Sequence, residues 1–397
     1  MDERWIVFVT CGRWQRSGLA VAKSLGFKII GVDGDEYAQG RDLVDQFLCV
    51  DINNVEQAWP KVAEAVVRKQ VVASLSICSD AGMPLVAVIN EQLGLSGPGI
   101  ELTHALTNKL MQRRIWEHSG VASPRYAVVD GDHPLSSGHG LSYPLIVKPV
   151  DSAGSRGVSK VFHEGELDVA VGAAMGFSGS RQVIIEEVIE GDEFAVEVFI
   201  QNGECEILSM SRKGKVSGTN GTVAQSYLNL KNSSTVSAFI RDQIPKAYAA
   251  LGYRDGVGHA EIIVNEDGEG GLVEVAGRGG GFNVFGRYVQ FVSGFDLPRA
   301  VILRAVGESV PVVMTAPYYA AMEFFPSTKG VVKSISGMES FDDDDIYAES
   351  FVVPGQHVGG AISDGDRLGC VMVRSRTVEG VMDKMALAKQ RIQFKVE

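Results

Sequence analysis

Cysteine is scarce and scattered: Cys11, Cys49, Cys78, Cys205 and Cys370 lie far apart, with no Cys-x-x-Cys pair. That excludes a disulfide scaffold and a zinc knuckle and fits a reducing compartment. No apolar run approaches the roughly 18 residues that a membrane span requires. The opening MDERWIVFVT carries charges of both signs and lacks a cleavable apolar core, so no signal peptide is expected and the location is expected to be cytoplasmic. Basic residues are outnumbered, 37 Lys and Arg against 49 Asp and Glu, for a formal charge of −12. This acidic surplus lacks the electrostatic footprint of a nucleic-acid binder. Glycine is the residue in excess, 46 of 397, against an average of about 7%. Backbone must therefore come close to something in several places. At about 150 residues per domain, the length fits two or three domains.

Residues 5–9 (WIVFV) form a short apolar run that reads as a buried strand, followed by the turn Thr10–Gly18 and a helical stretch ending at Gly26. KIIGVDGD (28–35) reads as a second strand, 55–69 as a helix, VVASLSICS (71–79) as a strand and MPLVAVINEQLG (83–94) as a helix. Strands alternating with helices imply a parallel sheet covered on both faces, so roughly the first hundred residues read as a Rossmann-like α/β domain. Beyond them, ALTNKLMQRRIWEHSG (105–120) reads as one helix. Strands then dominate at 143–150, 157–163, 182–189, 193–200, 257–264 and 271–277, with helices near 164–175 and 235–251 and a last helix at 377–391. That mixture indicates an α+β architecture with a β-rich end. The acid run Asp342–Asp345 reads as a solvated turn.

The turn Gly12-Arg13-Trp14-Gln15-Arg16-Ser17-Gly18 fails the G-x-G-x-x-G spacing of a dinucleotide site, so this domain is scaffold or one wall of a substrate site. Lys148 ends an apolar strand and leads into Asp151-Ser152-Ala153-Gly154-Ser155-Arg156-Gly157, after which a new strand begins. That order is no Walker A, but such a loop can fold its N–H groups over phosphate oxygens while the lysine adds positive charge. Alone, it fits an ordinary hairpin turn with a surface lysine slightly better. Glu261 (in HAEIIV) and Glu274 (in LVEVAG) flank the polar loop 265–270. With the turn centred between Asp267 and Gly268, Glu261 faces Glu274, and His259 faces Ala276 on the same side of the sheet. Like charges opposed at ~4.5–5.5 Å are destabilising unless they take up a proton or a cation. Oxygen-only ligands suit Mg2+ or Mn2+ carrying phosphates and water. A register slipped by one residue would instead put one acid in solvent. Arg278 follows, with Gly279-Gly280-Gly281: a cation for a transferring phosphoryl group and glycines that let substrate reach the backbone. Glu186, Glu187 and Glu193 surround a strand end and a turn, fit for an adenine edge and a ribose or simply solvated. Phe282, Asn283, Phe285 and Arg287 are candidates for an acceptor pocket, or for core packing and a surface ion pair.

Four stretches in this order, TNKLMQRRIWEHSGVASPRY (107–126), YPLIVKPVDSAGSRGVSKV (143–161), VIIEEVIEGDEFAVEVFI (183–200) and GHAEIIVNEDGEGGLVEVAGRGGG (258–281), resemble the ATP-grasp superfamily of carboxylate–amine ligases. The pattern is closest to bacterial L-amino-acid ligases, whose C-terminal part is similar to FFPSTKGVVKSISG through GDRLGCVMV, and to carbamoyl-phosphate-synthase-like enzymes. The resemblance implies a Rossmann-like pre-ATP-grasp domain over 1–100, a first ATP-grasp subdomain with the phosphate loop over 101–182, a second with the metal site over 183–310, and a β-rich part over 311–397. It implies that Lys109 and Lys148 hold ATP phosphates beneath the loop Ser152–Gly157, with Ser152, Ser155 and Gly157 as contacts. Glu186 to Ile189 would form the hinge that reads adenine, chiefly through backbone atoms of Glu187 and Ile189, and Glu193 would bind ribose. Glu261 and Glu274 would hold Mg2+ or Mn2+, two ions in all, and Arg278 with Lys148 would serve the chemistry. His259, Gly280, Gly281 and Arg287 are candidates for substrate contact. Ala276 stands where many members have Asn, so a second ion would lean on Glu274 or water. The activity implied is amide or peptide bond formation from a small carboxylate and an amine through an acyl phosphate, releasing ADP and phosphate. Alternatives are a bicarbonate or purine-intermediate acceptor, or nucleotide binding without turnover. No nucleic-acid or membrane partner is expected, and family habit implies a homodimer. Met210–Leu230, with Arg212, Lys213 and Lys215, is expected to form a lid.

Overall fold

The computed structural model describes residues 3–131, 140–216, 223–230, 232–315, 318–339, 341, 343–360 and 364–397. A four-stranded parallel sheet opens the chain, in the order Gln46–Cys49, Lys28–Asp33, Arg4–Val9, Gln70–Leu75. Its strands are apolar on both faces because both faces are covered. Val7 and Val9 pack with Val62, Val66, Leu85 and Val86 from the helices Val55–Val66 and Met83–Leu93. Ile6 and Phe8 point the other way, to Leu19 and Ala22 of the helix Arg16–Ser24, and onward to Phe199, Phe285 and Leu297 of the rest of the protein. Gly18 permits that close approach, since a Cβ there would stand 2.1 Å from Ile77 Cδ1. The first domain is thereby joined to the remainder by a shared apolar core rather than by a linker.

A second, antiparallel sheet runs Tyr126–Asp130, Gln182–Glu187, Leu145–Pro149, Ser159–Val161, with the helix Leu167–Met175 packed on it. The third sheet has eight antiparallel strands. Its order is Gly270–Ala276, Gly256–Val264, Asp192–Gln201, Glu204–Lys215, Ala224–Asn229, Tyr319–Pro326, Arg367–Ser375, Ile346–Ser350. Period-2 alternation divides its residues. Phe194, Val196, Val198, Ala260, Ile262 and Val275 face a core closed by the helix Ser234–Leu251. The intervening positions, Glu193, Glu197, His259, Glu261 and Glu274, share the opposite face.

Several expectations are corrected by this arrangement. The stretch 105–120 is two helices, Ile100–Thr107 and Lys109–Glu117, parted at Asn108. Asn108 is extended and its side chain accepts from Met111 N at 3.0 Å, an N-cap that overrides continuous helical spacing. The strand Gln182–Glu187 pairs within the second sheet, on the earlier side of the boundary expected at 182/183. The third sheet runs across the boundary expected at 310/311, because Ala224–Asn229 pairs with Tyr319–Pro326. Of the expected lid 210–230, residues 210–215 and 224–229 lie in the strands Glu204–Lys215 and Ala224–Asn229, paired to each other, while 217–222 lie outside the described residues. Asp343 and Asp345 are ion-paired rather than merely solvated, Asp343 with Lys384 and Asp345 with Lys384 and Arg374; Asp342 lies outside the described residues.

The hairpin Gly256–Val264/Gly270–Ala276 pairs Glu261 with Glu274 and His259 with Ala276. Nearer the turn the register differs by one: Ile262 pairs with Leu272 and Val264 with Gly270, centring the turn on Asp267, and a bulge between Glu261 and Ile262 restores the offset. The bulged Val273 carbonyl accepts from Arg113 Nη2 at 2.6 Å. Gln112 covers the rest of this edge strand, donating to Val275 O at 2.7 Å and accepting from Val275 N at 3.1 Å. A Cβ on Gly270 would stand 1.9 Å from Ile263 O. Gly270→Val is therefore expected to push the hairpin apart and destabilise the fold by roughly 2–4 kcal/mol, read from the urea midpoint; an unchanged midpoint would refute the tight pairing.

Candidate active site

The polar face of the eight-stranded sheet is lined by two chambers that share Lys109, the loop residues Ser152–Ser155, Glu261 and Glu274. The smaller, ≈160 Å³, lies between the second and third sheets and is lined by Lys148, Glu186, Glu187, Ile189, Glu193, Lys213 and Lys215 among others. The larger, ≈600 Å³, lies between the third sheet and the first domain and includes Trp14, Cys78–Ala81, His259, Arg278 and Gly280–Phe282.

The two opposed carboxylates are each met by a lysine. Lys109, at the head of the helix that Asn108 starts, lies 2.7 Å from Glu274 Oε2 and donates to Ser152 O at 2.8 Å, tying the small-residue loop to the carboxylate. Lys213, from the strand Glu204–Lys215, sits between Glu261 (2.6 Å) and Glu193 (2.5 Å), and Lys215 takes the other oxygen of Glu193 at 2.5 Å. Burial opposes the charge on Glu261, but Lys213 and His259 outweigh it and hold the carboxyl well below the usual range. The Lys213 ammonium, also opposed by burial, is held well above its ordinary value by Glu193 and Glu261. Lys109 is raised likewise, by Glu274 against its own burial.

Lys148 bonds Glu186 Oε2 at 2.7 Å, and Arg113 bonds Oε1 of the same carboxylate at 2.8 Å. Glu186 is 4% exposed; burial disfavours its charge, and the two cations hold it ionised below the normal range. Its side chain thus orients Lys148, and its backbone lies in the ladder between Tyr126 and Ile146. Glu187 N donates to Arg125 O at 3.0 Å. Its carboxylate accepts from Arg125 Nη1 at 3.0 Å and Ser142 N at 2.8 Å. Gly157 packs against Phe177 and Pro149, where a Cβ would come within 2.9 Å of Phe177, and it supports the loop from beneath.

On the other side, Arg278 forms a bidentate pair with Asp80 of the first domain, Nε to Oδ1 at 3.0 Å and Nη2 to Oδ2 at 2.7 Å. Burial opposes the charge on Asp80, but Arg278 outweighs it and holds the carboxyl below its usual range. His259 Nδ1 bonds Glu197, whose other oxygen accepts from Gly280 N at 3.2 Å, while His259 Nε2 lies 3.6 Å from Glu261. Arg287 is not brought to either chamber; its guanidinium lies 4.0 Å over the Tyr347 ring. Of its neighbours, Phe285 is buried in the shared core, Asn283 bonds Glu349, and Phe282 lines the larger chamber. Strand alternation in EFAVEVFI would have put Glu197 beside Glu193, and continuing the sheet through 204–215 would have found Lys213. No local pattern pointed to Asp80 or Arg113.

Among the described residues, no group of three or more His, Cys, Asp or Glu side chains is arranged to hold a metal ion by itself. The donor set is two opposed carboxylates beside two lysines, with Ala276 adding no oxygen. That fits a hard divalent cation that arrives with phosphate oxygens and water.

Residues 141–284 match the ATP-grasp domain family and residues 323–397 the L-amino acid ligase C-terminal domain 2. The chain thus carries an ATP-grasp domain over residues 141–284. An L-amino acid ligase from Bacillus licheniformis shares the fold over 100% of both chains, with a TM-score of 0.85 and 20% identity. The biotin carboxylase domain of the Hydrogenobacter thermophilus 2-oxoglutarate carboxylase, solved with MgADP and bicarbonate, is similar over 100% of this chain and 91% of its own, at a TM-score of 0.78 and 15% identity. In sequence, D-alanine–D-alanine ligase B of Xanthomonas campestris pv. campestris is 35% identical over 95 residues, 23% of this chain and 29% of that ligase. The D-alanine–D-alanine ligase of Pseudomonas entomophila is spanned over 34% of its length. The protein has five free cysteines, and among its described residues no helix is long and apolar enough to cross a membrane.

Burial by itself would push the His259 imidazole down, yet Glu197 and Glu261 lift it from 6.5 to about 9. A histidine raised on folding stabilises fully below its unfolded pKa of about 6.5 and loses that contribution as pH rises through its folded value. With EDTA present, the stability advantage of the wild type over His259→Gln is expected to shrink between pH 6.5 and 10 by on the order of 2–3 kcal/mol in urea unfolding. A constant difference across that range would refute a charged His259.

Proposed function

We propose that this ATP-grasp protein is an ATP-dependent carboxylate–amine ligase that forms an amide or peptide bond through an acyl phosphate, releasing ADP and phosphate. One observation carries the reading: Glu261 and Glu274 oppose each other at the junction of two chambers, one floored by lysines and a small-residue loop, the other opening onto Arg278. The smaller chamber suits a nucleoside triphosphate. Glu187 carbonyl and Ile189 would meet the base, Glu193 the ribose in exchange for Lys215, and Lys109, Lys148, Lys213 and the loop Ser152–Ser155 the phosphates.

Glu261 and Glu274 would hold Mg2+ or Mn2+, which when bound neutralises charge on the transferring phosphoryl group. Lys109 and Lys213 would pass from the carboxylates to phosphate oxygens as the nucleotide enters. In the first step a substrate carboxylate oxygen attacks the γ-phosphorus and the bond to ADP breaks. In the second, an amine attacks the acyl carbon, phosphate leaves with the bonding pair, and the amine loses a proton. Arg278, turned from Asp80, would steady the acyl phosphate, and the Gly280–Gly281 backbone lies beside it. The ligase fold and C-terminal family support an amino acid as one substrate. A two-ion site is the family's pattern, with Glu274 serving both, and the cytoplasm suits five free cysteines.

The test is ADP and phosphate release from ATP across pairs of amino acids and small carboxylates, with product masses recorded. Release should require Mg2+ and both substrates, and should fall on the order of 100-fold or more in Glu274→Gln. Turnover indifferent to EDTA, or unchanged in Glu274→Gln, would refute the assignment.

A further inference from the structure

The larger chamber has walls of two kinds. One bears charge, from Glu261, Glu274, Arg278 and Asp80. The other is aromatic, with the Arg367 guanidinium 4.4 Å over the Phe282 ring and 3.7 Å over that of Phe324. Trp14, in the first-domain turn whose glycines fail the dinucleotide spacing, lines the chamber beside Phe282 and Tyr227. Its ring centroid lies 4.9 Å from that of Phe282 and 4.8 Å from that of Phe351, the latter ring at 80° to it. Phe282 continues to Phe324 at 6.1 Å and Phe324 to Tyr227 at 5.8 Å, so one run of rings crosses from the first domain into the eight-stranded sheet. Tyr227 and Phe324 are buried, whereas Trp14 and Phe282 are half-buried at the chamber wall.

Both neighbours of Trp14 are pinned. Gln15, 2% exposed, bonds Thr10 Oγ1 at 2.7 Å and accepts from Ile77 N at 3.0 Å. Arg13 donates to Gln39 Oε1 at 3.0 Å and to Ser350 O at 3.2 Å, joining this turn to the C-terminal part. An indole held in place on a concave wall is a preorganised apolar surface: little entropy is lost when a ligand packs on it, and a flat ligand recovers ring–ring contact.

We propose that Trp14 is a specificity-determining residue, and that the substrate seated in this chamber carries an apolar, flat side chain, as an aromatic amino acid does, which packs on Trp14. The polar end of that substrate rests on the ligase reading, since Arg278 and Asp80 would meet its carboxylate or ammonium. The aromatic wall stands on geometry alone.

The experiment measures binding of L-phenylalanine and L-alanine to the full chain saturated with Mg·ADP, by calorimetry, alongside ADP release with each. Wild type should favour phenylalanine on the order of tenfold or more, in binding and in kcat/KM, and Trp14→Ala should bring that ratio to within about threefold. Trp14→Leu, which keeps bulk and removes the flat ring, should also lower the ratio, and it decides the matter if Trp14→Ala fails to bind ADP. Equal affinity for the two amino acids in wild type, or a ratio untouched by either substitution, overturns the proposal. A phenylalanine preference in binding without any ADP release refutes the ligase reading and leaves the wall standing. ADP release with every amino acid alike does the reverse.

Discussion

Two negative charges placed opposite each other on a β-ribbon are the constraint around which the rest is arranged. Glu261 and Glu274 cannot both stay ionised in a half-buried cleft without cations beside them. The protein supplies these from two separate elements, Lys109 from a helix start and Lys213 from a central strand. That requirement gives a reason for two local features. The helix must break at Asn108 so that Lys109 begins a new one beside the ribbon, and the strand Glu204–Lys215 must run long enough to bring Lys213 level with Glu261. The same cations would suit phosphate oxygens equally well.

A second layer of buried charge supports the first. The triad Lys148–Glu186–Arg113 has both cations on one carboxylate, with Arg113 also closing the bulge at Val273. Removing one member of such a group leaves a buried charge uncompensated, which costs far more than the group contributes when whole. Lys148, the edge strand and the helix Lys109–Glu117 thus meet at one guanidinium.

The first domain contributes more than support. Its apolar face is continuous with the core under Phe199, Phe285 and Leu297, so the domain cannot swing freely, and Asp80 reaches Arg278 across the larger chamber. That chamber exists only because two folded units meet, which is where ligand sites commonly form. Trp14 follows the strand Arg4–Val9 and Asp80 the strand Gln70–Leu75, so both lie beyond the carboxyl ends of two neighbouring parallel strands. The first domain is thus a wall of the larger chamber.

The sequence alone determined what depends on neighbours in the chain. Period-2 and helical spacing located most strands and helices, and turn position with strand length put Glu261 opposite Glu274. That last reading reached the right pairing although the turn is centred on Asp267, because the bulge at Val273 cancels the difference. Cap chemistry at Asn108 and the strand hidden in 204–215 were legible in principle but masked by stronger patterns nearby. Tertiary structure decided the rest: which cation neutralises which carboxylate, that Arg287 leaves the site for Tyr347, and that Asp80 meets Arg278 from 198 residues away. Ion pairs of that range carry no local signature, since periodicity and turn chemistry act over a few residues and a charge finds its partner only once the sheets have packed.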